Sequence, residues 1–241
     1  MNLAGKTILI TGGARRVGSY LAVSLAKRGA KIILHHANSP QEAERVTEEI
    51  RSQGGYCQVH QADFSHPEEA IRLFDQVAEQ HRLYALINNA AIFEPLSLAD
   101  TSLDAWNRHL NINLTAPFLL SQRFAAHIGK DNPGRILNIL DWRVFRPSAD
   151  HLPYITSKSA LASLTRSLAL ELAPHITVNG LALGAILPPS DGSPTPNIEH
   201  SVPARRWANL DEVAELVVFL LEGATYITGE IINLDGGRHL V

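Results

Sequence analysis

A tyrosine and a lysine four residues apart, Tyr154 and Lys158, open the longest uninterrupted apolar helical pattern of the chain, Tyr154 to Leu172. Residues at that spacing share a helix face, so the two side chains are expected to meet. An ammonium beside a phenol favours the phenolate and lowers the phenol's pKa. Bringing a phenol from about 10 toward neutrality takes roughly 3–4 kcal/mol. A partly buried cation, reinforced by the positive ring of a nicotinamide cofactor, can supply that, and Tyr154 is then expected to act as a general acid near pH 7. Tyr and Lys also meet at this spacing on many plain helix surfaces, so the pair alone identifies nothing.

A second element of chemistry lies near the N-terminus. The run Thr11-Gly12-Gly13-Ala14-Arg15-Arg16-Val17-Gly18 follows a short apolar strand and opens a helical pattern. Glycines there permit a tight turn and close backbone approach. The helix beyond offers free N–H groups and a positive dipole end to a pyrophosphate. The spacing is Thr-Gly-x-x-x-x-x-Gly rather than G-x-G-x-x-G, with Arg16 where a third glycine often stands.

Dinucleotide sites that prefer NAD place a carboxylate at the end of the second strand to hold the ribose hydroxyls. Here that stretch reads His35-His36-Ala37-Asn38-Ser39, without an acid. Arg15 and Arg16 add positive charge, and Asn38 and Ser39 offer hydrogen bonds to a 2′-phosphate. NADP(H) is the expected cofactor. The paired histidines invite a metal reading, but neighbours in a strand point to opposite faces, so no metal site is expected.

These residues need a frame. Short apolar runs, read as strands buried on both faces, fall at Thr7–Thr11, Lys31–His35, Cys57–Gln61, Ala85–Asn88, Arg135–Leu140, Thr177–Leu181 and Glu230–Asn233. Helical patterns alternate with them near 15–29, 41–53, 67–81, 103–129, 153–172 and 210–221, and Pro67 and Pro153 are placed as helix starts. This alternation predicts an α/β fold: a doubly wound parallel sheet of Rossmann type, one domain over 1–241. The polar, Pro-rich stretch Leu187–Pro196 reads as a mobile lid at a ligand-binding sheet edge, within a substrate loop at about 185–205; a passive surface loop is the alternative.

Composition narrows the class. A net charge of −3 makes no case for nucleic acid or an anionic membrane. Cys57 is the only cysteine, so no intrachain disulfide forms and a reducing compartment fits. Met1-Asn2-Leu3-Ala4-Gly5-Lys6 does not read as a signal peptide, and no apolar run approaches a membrane span. A cytoplasmic protein without membrane partners is expected.

Taken together, the motifs resemble the short-chain dehydrogenase/reductase family over essentially the whole chain. The resemblance is carried by the glycine turn, Asp63 after the third strand, Asn88-Asn89-Ala90, Asn113 in Asn113-Leu114-Thr115, Tyr154 and Lys158, Asn179-Gly180 and Asp235-Gly236-Gly237. It implies a cofactor bound by Gly12, Arg15, Arg16, Val17, Gly18, His36, Asn38, Ser39, Asp63, Phe64, Asn89, Ala90, Ala91, Tyr154, Lys158, Gly184 and Ile186. It implies that Lys158 holds the cofactor's ribose, that Asn113 holds a water in a proton relay from the lysine, and that four copies associate through the helices near 103–129 and 153–172.

Departures from the family pattern point to a substrate. The catalytic serine at the end of strand five is missing. Asp141, in Asn138-Ile139-Leu140-Asp141-Trp142, occupies its place thirteen residues before Tyr154. Two like charges ~4 Å apart at an effective dielectric of ~20 repel by about 4 kcal/mol. An ionised Asp therefore opposes an alkoxide, and suits a substrate that presents donors or a nitrogen needing a proton. Asp141, the Arg-Arg-x-Gly turn, Phe93 and the ending Asp235-Gly236-Gly237-Arg238-His239-Leu240 resemble the pteridine reductase and dihydromonapterin reductase subgroup. That implies a pterin bound by Arg16, Phe93, Asp141 and Tyr154, with Tyr154, Lys158, Asp141 and Asn113 catalytic. Asn38 stands where those enzymes carry an arginine, and Leu183-Gly184 replaces Pro-Gly. The readings are an NADPH-dependent dihydropterin reductase, a carbonyl reductase of the same fold acting on a 3-oxoacyl thioester or sugar, or a cofactor-binding regulatory protein without turnover.

Overall fold

The computed structural model describes residues 2–130, 132–188, 197–223 and 225–241. Its strands are β1 (Thr7–Ile10), β2 (Lys31–His36), β3 (Tyr56–Gln61), β4 (Leu83–Asn88), β5 (Gly134–Asp141), β6 (Ile176–Leu183) and β7 (Ile231–Leu234). All seven pair in parallel, in the order β3-β2-β1-β4-β5-β6-β7. The chain starts in the middle of the sheet, winds outward to β3 and returns beside β1 as β4. The winding reverses between β1 and β4, where a doubly wound sheet leaves a crevice beyond its strand ends.

Helices cover both faces because alternate strand residues face opposite ways. Ile8, Ile10, Ile32 and Leu34 pack under α1 (Arg16–Lys27), α2 (Pro40–Ser52) and α8 (Leu210–Glu222). Leu9, Ile33 and Ile136 pack under α3 (Pro67–Gln80), α5 (Ala116–Ile128) and the end of α6 (Leu152–Leu172). Each fully buried Leu or Ile contributes about 1.5–3 kcal/mol. A short helix, α7 (Ile198–Ser201), follows the sixth strand.

One expected element differs. The single helix near 103–129 is α4 (Leu103–Leu110), a π-helical turn at Asn111–Thr115, and then α5. Pro117 gives the reason. It has no N–H to donate to the Asn113 carbonyl four residues back, and its ring crowds that carbonyl in an α-helix. Widening the turn removes the clash, and such turns gather at functional sites. The expected lid lies mostly outside the described residues, since 189–196 are not among them. Among the described residues, no helix is long and apolar enough to cross a membrane.

Candidate active site

The crevice between β1 and β4 is built by mutual contact. The Asn89 amide nitrogen donates to the Thr11 and Gly12 carbonyls, both at 2.9 Å. The Thr11 hydroxyl accepts from the Asn89 and Ala90 N–H groups at 2.9 and 3.0 Å. Gly12 has φ +61, and a Cβ on it would lie 2.9 Å from Ala90 Cα. A Cβ on Gly18 would lie 2.2 Å from the Gly12 carbonyl oxygen, so α1 approaches the turn as only glycine allows. No side chain caps the start of α1 and its first turn holds no acid. Its orphan N–H groups are therefore available to an anion.

The rest of the expected cofactor set lines this edge. Arg15 and Arg16 are exposed, Val17 is half-buried, and Arg16 (φ +55) donates from Nη2 to the Pro188 carbonyl at 2.9 Å. His36 is buried and its Nδ1 accepts from the Ser39 N–H at 3.3 Å, curling the end of β2 so that Asn38 is presented to solvent. Asp63 is exposed and accepts from the Ser65 N–H, which holds its carboxyl below the usual range. The Phe64 ring turns inward onto His35 with centroids 4.1 Å apart, so only its backbone faces outward. Ala91 is exposed, Ile186 is buried, and Gly184 passes so close to Asp235 that a Cβ would lie 2.6 Å from its Cα. A glycine cradle, an uncapped helix start and a β2 end free of carboxylates fit a phosphorylated dinucleotide.

The second cluster sits beyond β5, at the head of α6. His151 (φ +60) turns the chain into that helix, and Pro153 stands in its first turn. The buried hydrogen bonds Asn88 Nδ2 to Asn138 Oδ1 (2.8 Å) and Asn138 Nδ2 to Thr165 Oγ1 (2.9 Å) tie β4, β5 and α6 together. Tyr154 and Lys158 are 7% and 3% exposed. The Tyr154 hydroxyl donates to Asp141 Oδ2 at 3.2 Å, and Lys158 Nζ donates to the Ile139 carbonyl at 2.7 Å. Asn113 is fully buried and braces two segments. It donates to the Ile92 carbonyl (3.1 Å) and to Ser157 Oγ (3.0 Å), and accepts from the Ile92 N–H (2.9 Å). Phe93, next along, is 51% exposed and meets the Tyr154 ring edge-on at 4.7 Å.

The electrostatics qualify one expectation. The lysine alone does not draw Tyr154 toward neutrality. Burial, together with the charge of Asp141 and the hydrogen bond to it, pushes the phenol well above its ordinary value, and only Arg143 opposes this. Lys158 Nζ lies 6.0 Å from the Tyr154 ring centroid, with its hydrogen bond directed at a carbonyl. Burial itself lowers Lys158 to about 8, although Asp141 holds it up. The resting site therefore has a firmly neutral phenol, bonded to a carboxylate, near a weakened ammonium.

Sequence reasoning missed two sets of residues here. Arg143 donates to Asp141 Oδ1 from its backbone N at 2.9 Å, and its Nη1 reaches both carboxyl oxygens at 3.4 Å. Its guanidinium lies over the Phe93 and Trp142 rings at 5.4 and 5.1 Å, with Arg238 over Trp142 at 4.4 Å. His151 stacks on Phe93 with centroids 4.0 Å apart. The Asp-x-Arg spacing was a visible signal for Arg143, and Arg238 lay in the C-terminal motif without a role assigned to it, whereas nothing local marked His151.

Such a fold with such a site defines a dinucleotide-dependent oxidoreductase. A family model described as enoyl-(acyl carrier protein) reductase matches residues 12–239. The chain is 34% identical to the 3-oxoacyl-[acyl-carrier-protein] reductase FabG of Aquifex aeolicus, over 98% of each chain. Among solved structures, it resembles FolM alternative dihydrofolate reductase 1 from Brucella canis complexed with NADP. The TM-score is 0.92 and the identity 32%, covering 99% of this chain and 96% of that one. A short-chain dehydrogenase from Burkholderia cenocepacia, also complexed with NADP, matches at TM-score 0.92 and 34% identity, covering 99% of each. The chain belongs to the short-chain dehydrogenase/reductase family.

Proposed function

We propose that this protein is an NADPH-dependent reductase of a dihydropterin. The observation that carries the reading is the hydrogen bond from Tyr154 to Asp141, a carboxylate standing where the family's serine hydroxyl would be. Two solved neighbours hold NADP, one of them an alternative dihydrofolate reductase. When bound, the nicotinamide would supply the hydride.

This chain's residues would do the rest. The glycine turn and the start of α1 would receive the pyrophosphate, and Arg15, Arg16, Asn38 and Ser39 would receive the 2′-phosphate. Lys158 would hold ribose hydroxyls. A planar ring would take the place of His151 against Phe93, and its N–H donors would bond the Asp141 carboxylate. Those donors would replace the phenol on Asp141 and free Tyr154 Oη to turn its proton toward a ring nitrogen. The carbonyl oxygen of a ketone substrate would instead develop negative charge beside Asp141 as hydride reached its carbon, at a cost of about 4 kcal/mol. The Asn113 carbonyl, which Pro117 cannot bond, is the natural seat for a water relaying protons to Lys158.

The second reading is a carbonyl reductase, favoured by the similarity to the 3-oxoacyl reductase of Aquifex aeolicus. The deciding assay is NADPH oxidation with a 7,8-dihydropterin beside an acetoacetyl thioester, each repeated with NADH. Turnover of the dihydropterin with NADPH supports the first reading. Turnover of the thioester alone replaces it with the second.

A further inference from the structure

Two consecutive amides at the head of the glycine turn end on one residue that the chemistry above leaves unused. Gly12 N donates to His35 Nδ1 at 3.1 Å, and Gly13 N donates to the His35 carbonyl at 2.9 Å. On the far side of the ring, Nε2 lies 2.9 Å from the Ala62 carbonyl. The ring is 1% exposed and stacked on Phe64. A backbone N–H can only donate and a carbonyl can only accept. Both partners therefore dictate the same tautomer, with a lone pair at Nδ1 and the proton at Nε2. A second proton on Nδ1 would confront the Gly12 N–H.

The surroundings keep that proton away. Burial lowers His35 to about 4; the neighbouring His36 and His60 push the same way, while the Ala62 carbonyl and Asp63 oppose. Gly12 is thus gripped from two strands, its N–H by the histidine of β2 and its carbonyl by Asn89 beyond β4. Both grips meet at the point where the sheet reverses, under the uncapped start of α1.

We propose that His35 is a positioning residue for cofactor binding, whose neutral, Nε2-protonated ring fixes the Gly12 amide and so sets the shape of the turn that receives the dinucleotide pyrophosphate. This rests on the NADP(H) reading. It assigns a role to the inward member of the histidine pair, leaving His36 to the ribose side.

Two amide substitutions separate the two ring contacts. His35→Asn keeps an acceptor near the Nδ1 position and loses the contact to Ala62. His35→Gln keeps a donor near the Nε2 position and loses the contact to Gly12. Each loses one hydrogen bond and the stack on Phe64, so a merely structural role predicts similar losses of Tm and similar NADP+ affinities. The expected result is an NADP+ Kd within about threefold of wild type for His35→Asn and at least tenfold weaker for His35→Gln, by calorimetry on the full chain. Hydrogen exchange of the Gly12 amide in cofactor-free protein reads the anchor directly. It should stay protected in wild type and His35→Asn and exchange at least tenfold faster in His35→Gln. Equal affinities in the two variants, or equal protection, overturn the proposal. Intact exchange differences in a wild-type protein that fails to bind NADP+ would overturn the cofactor reading, and with it the role in binding, while leaving the anchor itself demonstrated.

Discussion

At the scale of single residues, the site turns on where protons sit. Tyr154 is held neutral by burial and by Asp141, so it is a donor at rest and a poor phenolate. Removing the proton it donates should abolish most turnover without disturbing the cofactor. Tyr154→Phe is expected to lower kcat by about 100-fold or more, as general acids usually contribute, with NADPH affinity changed less than twofold. Stopped-flow and fluorescence titration give both numbers, and near-normal turnover would remove Tyr154 as the acid. Lys158 adds a pH dependence. With its value lowered to about 8, the ammonium is charged below that pH and loses its charge as pH rises through it. Activity that needs the charge should fall on the alkaline side of about pH 8. Asp141 holds this value up, so Asp141→Asn should move the limb to lower pH. A limb that stays in place would detach it from Lys158.

At the scale of elements, three junctions position these groups. The buried Asn88–Asn138–Thr165 chain ties α6 to β5, and through it Tyr154 and Lys158 to Asp141. The π turn sets Asn113 between Ile92 and Ser157, joining the segment that carries Phe93 to the helix that carries Tyr154. The start of α1 leans on the glycine turn with no room for a side chain. Gly18→Ala would place a methyl group 2.2 Å from the Gly12 carbonyl oxygen, which is backbone and cannot swing aside. The helix must then back away from the turn. NADPH affinity is expected to fall at least tenfold while the circular dichroism spectrum persists; unchanged affinity would show that the turn tolerates the shift. Helix and strand positions were largely legible from apolar periodicity, because local burial patterns write themselves into the chain at periods of 3.6 and 2. The π turn was not, because a run of apolar residues around Pro117 reads as one helix until the missing N–H is followed to its carbonyl.

At the scale of the whole molecule, the sheet places both clusters at the carboxyl ends of its strands: the glycine turn after β1, and Asp141 at the end of β5. The family resemblance adds an expectation of four associated copies. We propose that the outer face of α5 and α6 makes such contact. Leu114, Phe118, Ala160 and Leu164 line a shallow hollow of about 440 Å³ there, with Phe118 half-exposed. A carboxylate in such an interface would be desolvated without a partner, at a cost of several kcal/mol. On that proposal, wild type runs as a multimer and Phe118→Glu as smaller species, read by multi-angle light scattering. A wild-type monomer, or an unchanged mass in the variant, would count against this face.

The order of strands and helices, the glycine turn, the Tyr154–Lys158 pair and the odd carboxylate at Asp141 could all be read from spacing along the chain. Periodicity and short motifs depend on residues that are close in sequence. The direction in which the chain's own residues perturb Tyr154 could not be read from the lysine four residues away. Proton affinity sums burial and every nearby charge, and the groups that decide it here, Asp141 and Arg143, come from another strand's end. Only the tertiary structure could show that Lys158 turns to the Ile139 carbonyl, that Arg143 braces Asp141, and that His35 closes on Gly12 across 23 positions of sequence. Hydrogen bonds and desolvation act over ångströms of space, and the fold decides which distant residues share them.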